Sequence, residues 1–424
     1  MDHPAQRHPK HVVVIGAGIV GVSVALRLVG KGQRVTILDP GPPGGQQAAS
    51  YGNGAFISPA SIIPMSFPGL WRKVPGFLMD PSGPLTIRWT ALPRLSPWLW
   101  RFLRAGATPD RVRRIAASLS QLLSDAPSRH AAQATAIGRP DLIHQSGLIY
   151  AFTDRAAFEA DRIAWALRRE FKVRIEEMEA AALHETLPDL SRDYRFAIRL
   201  PDGAHCVDPG GYVAAIAAAA IRGGATLHTA AATGFDIADG QLRAVLTADR
   251  AIACDAAVIA CGARSKPLAR AAGDRVAMES ERGYHVEVVD PGIDLPVPVM
   301  PQDGRMANVL TRGGLRASGQ VELASTDASP DWRRADILLR QLRRTWPGLK
   351  DDAGIRRWQG NRPSTPDGMP VIGHAAGCRR IVHAFGHGHI GLASAPMTAQ
   401  IVADLIAGHS PPIDIAAFAA DRFR

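Results

Sequence analysis

Cysteine is scarce in this chain. The four cysteines among 424 residues, Cys206, Cys254, Cys261 and Cys378, form no CxxC pair and stand at no zinc-site spacing from histidine, so neither a disulfide framework nor a metal centre is expected. They read as reduced, buried thiols of a cytoplasmic protein. No stretch supplies about 18 uninterrupted apolar residues, which argues against a membrane-spanning helix, and there is no internal repeat. Lysine and arginine exceed aspartate and glutamate by 49 to 39, a net charge of +10. That balance admits an anionic substrate or an acidic membrane surface. It does not point to nucleic acid, because the cations are mostly dispersed and no basic run with interleaved aromatics forms a recognisable module.

With 46% hydrophobic residues, the chain is long enough for two domains with separate cores. Its most informative stretch is at the start. His11-Val12-Val13-Val14-Ile15 reads as a buried strand, Gly16-Ala17-Gly18-Ile19-Val20-Gly21 as a turn, and the residues that follow as a helix. Gly16 permits the tight turn, Gly18 lets the backbone approach a pyrophosphate, and Gly21 lets the helix pack closely on its strand. The free N–H groups at the helix start, from Ile19 and Val20 onward, then face the phosphates. A second strand over 34–38 ends at Asp39-Pro40, where a carboxylate can bind ribose hydroxyls. An acid there disfavours NADP and leaves NAD or FAD. Arg7, His8, Lys10 and His11 ahead of the apolar run imitate a secretory signal, but glycines interrupt the run and the strand, turn and helix use all of it.

Further along, Ser50-Tyr51-Gly52-Asn53-Gly54-Ala55 gathers small residues as a loop pressed on a flat ligand would, with Ser50, Asn53 and Gly54 as candidate contacts. An apolar strand over 256–260 enters Cys261-Gly262-Ala263-Arg264-Ser265. Through Gly262 and Ala263 this is either a second turn facing the cofactor or an ordinary strand-to-helix turn. Residues 64–106 are rich in proline, tryptophan and cations, among them Trp71, Arg72, Lys73, Arg88, Trp89, Arg94, Trp98, Trp100, Arg101 and Arg104. Pro75, Pro81, Pro84, Pro93 and Pro97 argue against one long helix there. Helices are expected over 110–137, 155–171, 209–222 and 332–346, a strand pair within 142–152, and alternating strands over 284–288, 309–311 and 315–321.

Near the end, Gly360-Asn361-Arg362-Pro363-Ser364-Thr365-Pro366-Asp367-Gly368-Met369-Pro370-Val371-Ile372-Gly373 precedes a short strand. Gly386-His387-Gly388-His389-Ile390-Gly391 then opens a helix reaching residue 406. Together with the N-terminal unit, these segments resemble the D-amino acid oxidase (DAO) family of FAD-dependent oxidoreductases, most closely its bacterial D-amino acid dehydrogenase branch. The resemblance covers nearly the whole chain. Its most specific pieces are RPxTPDGxPxIG, GHGxxG and the segment SPWLWRFLRAG.

The resemblance implies an α/β protein of glutathione-reductase/DAO-like architecture. A Rossmann-like FAD-binding domain would take residues 1–60, 201–275 and 351–424, and a sheet-rich α+β substrate domain 61–200 and 276–350. The cofactor would be FAD held without a covalent link, since the cysteine by which the sarcosine-oxidase branch tethers flavin has no counterpart between Trp358 and Ser364. Gly386 to Gly391 would let the backbone touch the flavin ring, and the helix opening at Gly391 would offer its positive end to the reduced flavin, worth up to about 2 kcal/mol when partly buried. Asp39 is shorter than the family's glutamate, so its ribose contact would run through a water.

Arg362 is implied as the two-pronged partner of the substrate carboxylate; the competing reading is a structural pair with a core carboxylate. Tyr284, and more weakly Tyr51, would either donate to that carboxylate or serve packing, with His285 pointing the other way by alternation. Asn361, in place of an apolar residue, alters pocket polarity. The implied reaction passes hydride from the substrate α-carbon to flavin N5 and leaves an imine to hydrolyse, with no essential acid or base on the protein. The substrate is then a D-amino acid, or, within the same family, D-hydroxyproline, D-proline, sarcosine or an opine. A reading of another class is an FAD-carrying electron-transfer subunit with no amine site. Electrons would leave to a quinone or another acceptor. The tryptophan- and arginine-rich segment is either a peripheral contact with the inner face of the cytoplasmic membrane or substrate-domain core or lid.

Overall fold

The structure, a computed structural model, describes residues 11–70, 83, 85–350 and 352–423. Arg7, His8, Lys10, Trp71, Arg72, Lys73, Pro75, Pro81 and Pro84 lie outside the described residues. Two compact units share the chain. The first takes the chain up to Tyr51, Gly210–Met278 and the chain from Pro363; the second takes Gly52–Pro209 and Glu279–Arg362. The last crossing falls after Arg362 rather than near residue 350 because the strand Ile355–Ser364 extends the second unit's sheet.

In the first unit, His11–Ile15 pairs in parallel with Arg34–Asp39 on one side and Ala256–Ile259 on the other. Thr226–Thr229 and Ile381–Phe385 extend the parallel sheet, and Val371–His374 closes it as an antiparallel edge. Every residue of His11–Ile15 is buried, as a parallel strand covered on both faces requires. The helices Ile19–Gly30 and Gly391–Ala407 pack on each other, and Gly408 ends the second of them in a left-handed conformation with φ +73°.

The second unit is built on a nine-stranded mixed sheet, ordered Ile355–Ser364, Glu279–Val288, Gly314–Leu323, Ala307–Thr311, Val299–Pro301, Leu148–Phe152, Phe196–Leu200 and Glu176–Glu179, with Leu85–Ile87 also paired to Gly314–Leu323. The helix Arg333–Thr345 covers one face through a core of Val286, Leu315, Ala317, Leu338 and Leu342. Burial of these side chains is what holds the helix there, at about 1.5 to 3 kcal/mol for each large apolar residue removed from water.

Several local expectations are refined by punctuation in the sequence. The 110–137 helix is two, Pro109–Leu123 and Ala126–Ala136, divided at Ser124 and Asp125 where Pro127 restarts the chain in a first-turn position. The 155–171 helix divides at Asp161. Ile143–His144 and Leu148–Phe152 are not partners: the first pairs with Ala204–Cys206 in a small sheet and the second joins the large one. The helix Leu92–Ala105 runs through both Pro93 and Pro97. Pro97 has no N–H for the carbonyl of Pro93, and the Ser96 hydroxyl donates to that carbonyl instead, at 3.0 Å.

Candidate active site

The glycine-bearing loops of the first unit share one end of its sheet. Three parallel strands, His11–Ile15, Ala256–Ile259 and Ile381–Phe385, lead respectively into Gly16–Gly21, Gly262–Ala263 and Gly386–Gly391, and Arg34–Asp39 ends there in its own carboxylate. Ligands of open α/β sheets gather at this carboxyl end. The glycines do not all serve one purpose. A β-carbon at Gly16 would stand 2.4 Å from the Ala260 carbonyl oxygen, and one at Gly21 1.9 Å from the Gly16 oxygen, so internal packing demands both. Gly18 differs. Its conformation is ordinary, φ −72°, and an added β-carbon would meet only the Ser50 hydroxyl at 3.4 Å. Nothing in the fold requires glycine there, and a side chain would fill the space before the helix N-terminus.

Ser50 accepts a hydrogen bond from the Ile19 N–H at 3.0 Å and so caps the first helix through space. Asp39 accepts from the Ala17 N–H at 2.7 Å and the Gly41 N–H at 2.8 Å, one on each oxygen, which fixes its carboxylate beside the glycine turn while leaving further lone pairs. The side chains of Ile19 and Val20 are buried, and the Ile19 N–H, expected to be free for a phosphate, is taken by the Ser50 hydroxyl; Pro40 is exposed. His387 is buried with Nε2 3.1 Å from the Thr398 hydroxyl, and burial pushes its imidazole down to about 3. Its side chain belongs to packing; His389 beside it is exposed and Ile390 buried.

The second unit carries Arg362. Its Nη1 donates to the Gln320 carbonyl at 2.9 Å and Nη2 to the Gly319 carbonyl at 3.4 Å. Burial lowers the guanidinium from its ordinary range, and the nearby Glu281 opposes that shift. Among the described residues no carboxylate lies within ion-pair distance of it, whereas buried Arg282 pairs with Glu322 at 3.2 Å and buried Arg316 with Glu287 at 3.0 Å. The guanidinium lies over Gly283. On the same side of the Glu279–Val288 strand, two residues on, the His285 ring stacks on Trp358 with centroids 5.1 Å apart. Burial, followed by the Arg316 charge, pushes His285 down to about 3.

Residues 11–405 match the DAO family of FAD dependent oxidoreductases. The chain belongs to that family. It is 46% identical over 417 residues, 98% of this chain and 99% of the other, to a D-amino-acid oxidase of Bradyrhizobium diazoefficiens. It is 31% identical over 425 residues, 97% of this chain and 98% of the other, to a D-amino acid dehydrogenase of Paramagnetospirillum magneticum. Among solved structures, glycine oxidase from Geobacillus kaustophilus superposes with a TM-score of 0.75 at 20% identity, covering 97% of this chain and 98% of that one. L-proline dehydrogenase from P. horikoshii gives 0.74 at 19% identity, covering 98% of each. The last two are likenesses of fold.

FAD is therefore the cofactor of this DAO-family oxidoreductase, and the first unit fits it. The unfilled space at Gly18 and the helix start behind it suit a pyrophosphate, the Asp39 carboxylate is fixed beside the glycine turn, and two further glycine loops lie at the same end of the sheet. Asn53 and Gly54 lie in the second unit, where Asn53 accepts from the Ala55 N–H at 2.7 Å and its carbonyl from Arg316 at 3.2 Å, and Gly54 abuts Ala307. Tyr51 packs on Gly210 at the start of the helix Pro209–Arg222.

Of the two readings open for Tyr284, its surroundings fit packing. It is 1% exposed, donates to Glu322, accepts from the Asp331 N–H at 2.9 Å, and sits in the core under Arg333–Thr345. Alternation along the strand holds, but it places Arg362 over Gly283, on His285's side. Tyr284 therefore cannot donate beside Arg362. Reading the sequence alone missed Gly283, Gly319, Gln320 and Trp358; the available signal was glycine inside strands, which weakens them unless something approaches closely.

Proposed function

We propose that this FAD-dependent oxidoreductase carries out oxidative deamination of a D-amino acid, with Arg362 receiving the substrate carboxylate. The observation that carries this reading is the state of Arg362: its guanidinium is held by two backbone carbonyls and has no carboxylate in ion-pair reach among the described residues, unlike Arg282 and Arg316 in the same sheet. A structural arginine would be neutralised; a binding arginine keeps its charge and its fork for a planar anion. The names of the relatives at 46% and 31% identity support the D-amino acid as substrate class. Bound FAD supplies the two-electron acceptor for the hydride leaving the substrate α-carbon. What the protein contributes is orientation: a carboxylate fixed at Arg362 restricts where the α-carbon can lie, and the neutral imidazole of His285 adds no competing charge on that side of the strand. The resulting imine hydrolyses in water. Anaerobic titration of the purified yellow protein with D- and L-amino acids tests the reading: D-amino acids should bleach the visible flavin band, and absence of bleaching by any amino acid would leave an electron-transfer subunit as the better account.

The same reading has FAD bound without a covalent link, as none of the four cysteines lies between Trp358 and Ser364. It also places the enzyme in the cytoplasm, at the inner membrane surface, passing electrons to a quinone or other acceptor. Supporting the surface contact, Trp89 is 71% and Trp100 60% exposed, with Arg101 and Arg104 exposed on the same helical segment, while Trp98 is core. Among the described residues no helix is long and apolar enough to cross a membrane. Oxygen is the competing acceptor, supported by the oxidase name of the relative at 46% identity.

A further inference from the structure

We propose that Gly283 and a backbone bulge at Gln320 form a positioning cradle that aims the Arg362 fork; this rests on Arg362 being the carboxylate site. A β-carbon at residue 283 would stand 2.3 Å from Arg362 Cζ and Nη2 and 2.6 Å from Nη1. The guanidinium thus lies directly on the backbone of Gly283, and a side chain at 283 would force this flexible end of Arg362 out of its present place. The opposite strand is irregular at the same level. Arg282 pairs with Glu322 but Tyr284 pairs with Gly319, so Gly314–Leu323 carries one extra residue between them, and Gln320 there has φ +57°. In a regular strand successive carbonyls point in opposite directions, so one side chain cannot collect both. The bulge turns the carbonyls of Gly319 and Gln320 toward one guanidinium. Of the five N–H donors of arginine, the cradle uses two, one from each terminal nitrogen, and each nitrogen keeps a second for a carboxylate oxygen. Carbonyl dipoles orient the fork without neutralising its charge. Gln320 is itself held, being 4% exposed with its side-chain oxygen 3.4 Å from Arg334 Nη1.

The test uses purified holoenzyme and two readouts: KM for the D-amino acid turned over fastest, and the dissociation constant of benzoate, a carboxylate without an amine, measured by calorimetry. Gly283→Ala should raise both about tenfold, with kcat changed less than about threefold and flavin content and Tm preserved. A merely structural glycine would instead lower flavin content and Tm and leave benzoate binding alone in the folded fraction. Gln320→Val, which resists the left-handed conformation, should weaken benzoate in the same way, and Gln320→Asn, which tolerates it, should weaken it less. This second pair decides the matter if Gly283→Ala does not accumulate. Unchanged benzoate affinity in a folded Gly283→Ala, or equal effects of the two Gln320 variants, overturns the cradle. Benzoate binding that survives Arg362→Ala overturns the underlying reading of Arg362 instead.

Discussion

The hydroxyl of Tyr284 donates to the carboxylate of Glu322, whose other partners are Arg282 and Arg88, so a single buried carboxylate joins three side chains under the helix Arg333–Thr345. Burial, reinforced by that hydrogen bond, pushes the Tyr284 phenol up to about 12. Tyr284→Phe removes one partner of a buried acceptor and should cost about 1 to 3 kcal/mol of stability. Denaturant unfolding checks the loss, and KM for the D-amino acid should stay within about twofold of the parent. A tenfold rise in KM at unchanged stability would return Tyr284 to the substrate site.

Arg362→Ala should cost roughly 2 to 5 kcal/mol of transition-state stabilisation, read from kcat/KM with flavin content held equal. Arg362→Lys keeps a point charge without the fork and should recover only part of it. Full activity in a flavin-loaded Arg362→Ala would remove the assignment.

Gly18 is the glycine of the Gly16–Gly21 turn whose bareness packing does not need, so Gly18→Val should still fold but emerge colourless, its side chain occupying pyrophosphate space. In the parent protein, acid or heat should release FAD into the supernatant. Yellow colour that stays with the denatured polypeptide would mean a covalent link.

Three buried histidines set a pH dependence. His285 and His387 are held near 3 and His205 near 4, each by burial first, against an ordinary value of 6.5. A depressed folded value means that the unfolded chain binds more protons, so their contribution is complete above about pH 6.5 and declines as pH falls toward about 3. Urea midpoints should therefore drop between pH 7 and 4, and His387→Gln should flatten the slope. An unaltered slope would assign acid sensitivity to other groups.

Trp89→Ser combined with Trp100→Ser should weaken sedimentation with anionic vesicles, and rising salt should weaken binding of the parent protein. Amine oxidation should run faster with a quinone analogue than with oxygen. Rapid hydrogen peroxide production without added acceptor would make the protein an oxidase and leave the amine chemistry in place.

The sequence by itself determined the nucleotide half of the protein, because that half is local: strand, glycine turn, helix and terminal acid follow one another within about thirty residues, each need being met by one residue type at a fixed spacing. The last helix and its glycine loop were legible for the same reason, and the RP motif marked Arg362 as a candidate. Only the tertiary structure decided what surrounds Arg362. Gly283 and the Gly319 and Gln320 carbonyls come from two other strands, and the register shift that turns both carbonyls to one side chain leaves no mark in periodicity. The face on which Tyr284 and His285 fall was likewise undecidable along the chain. Alternation fixes that neighbours point apart, but which side meets Arg362 depends on the pairing of strands nearly eighty residues distant.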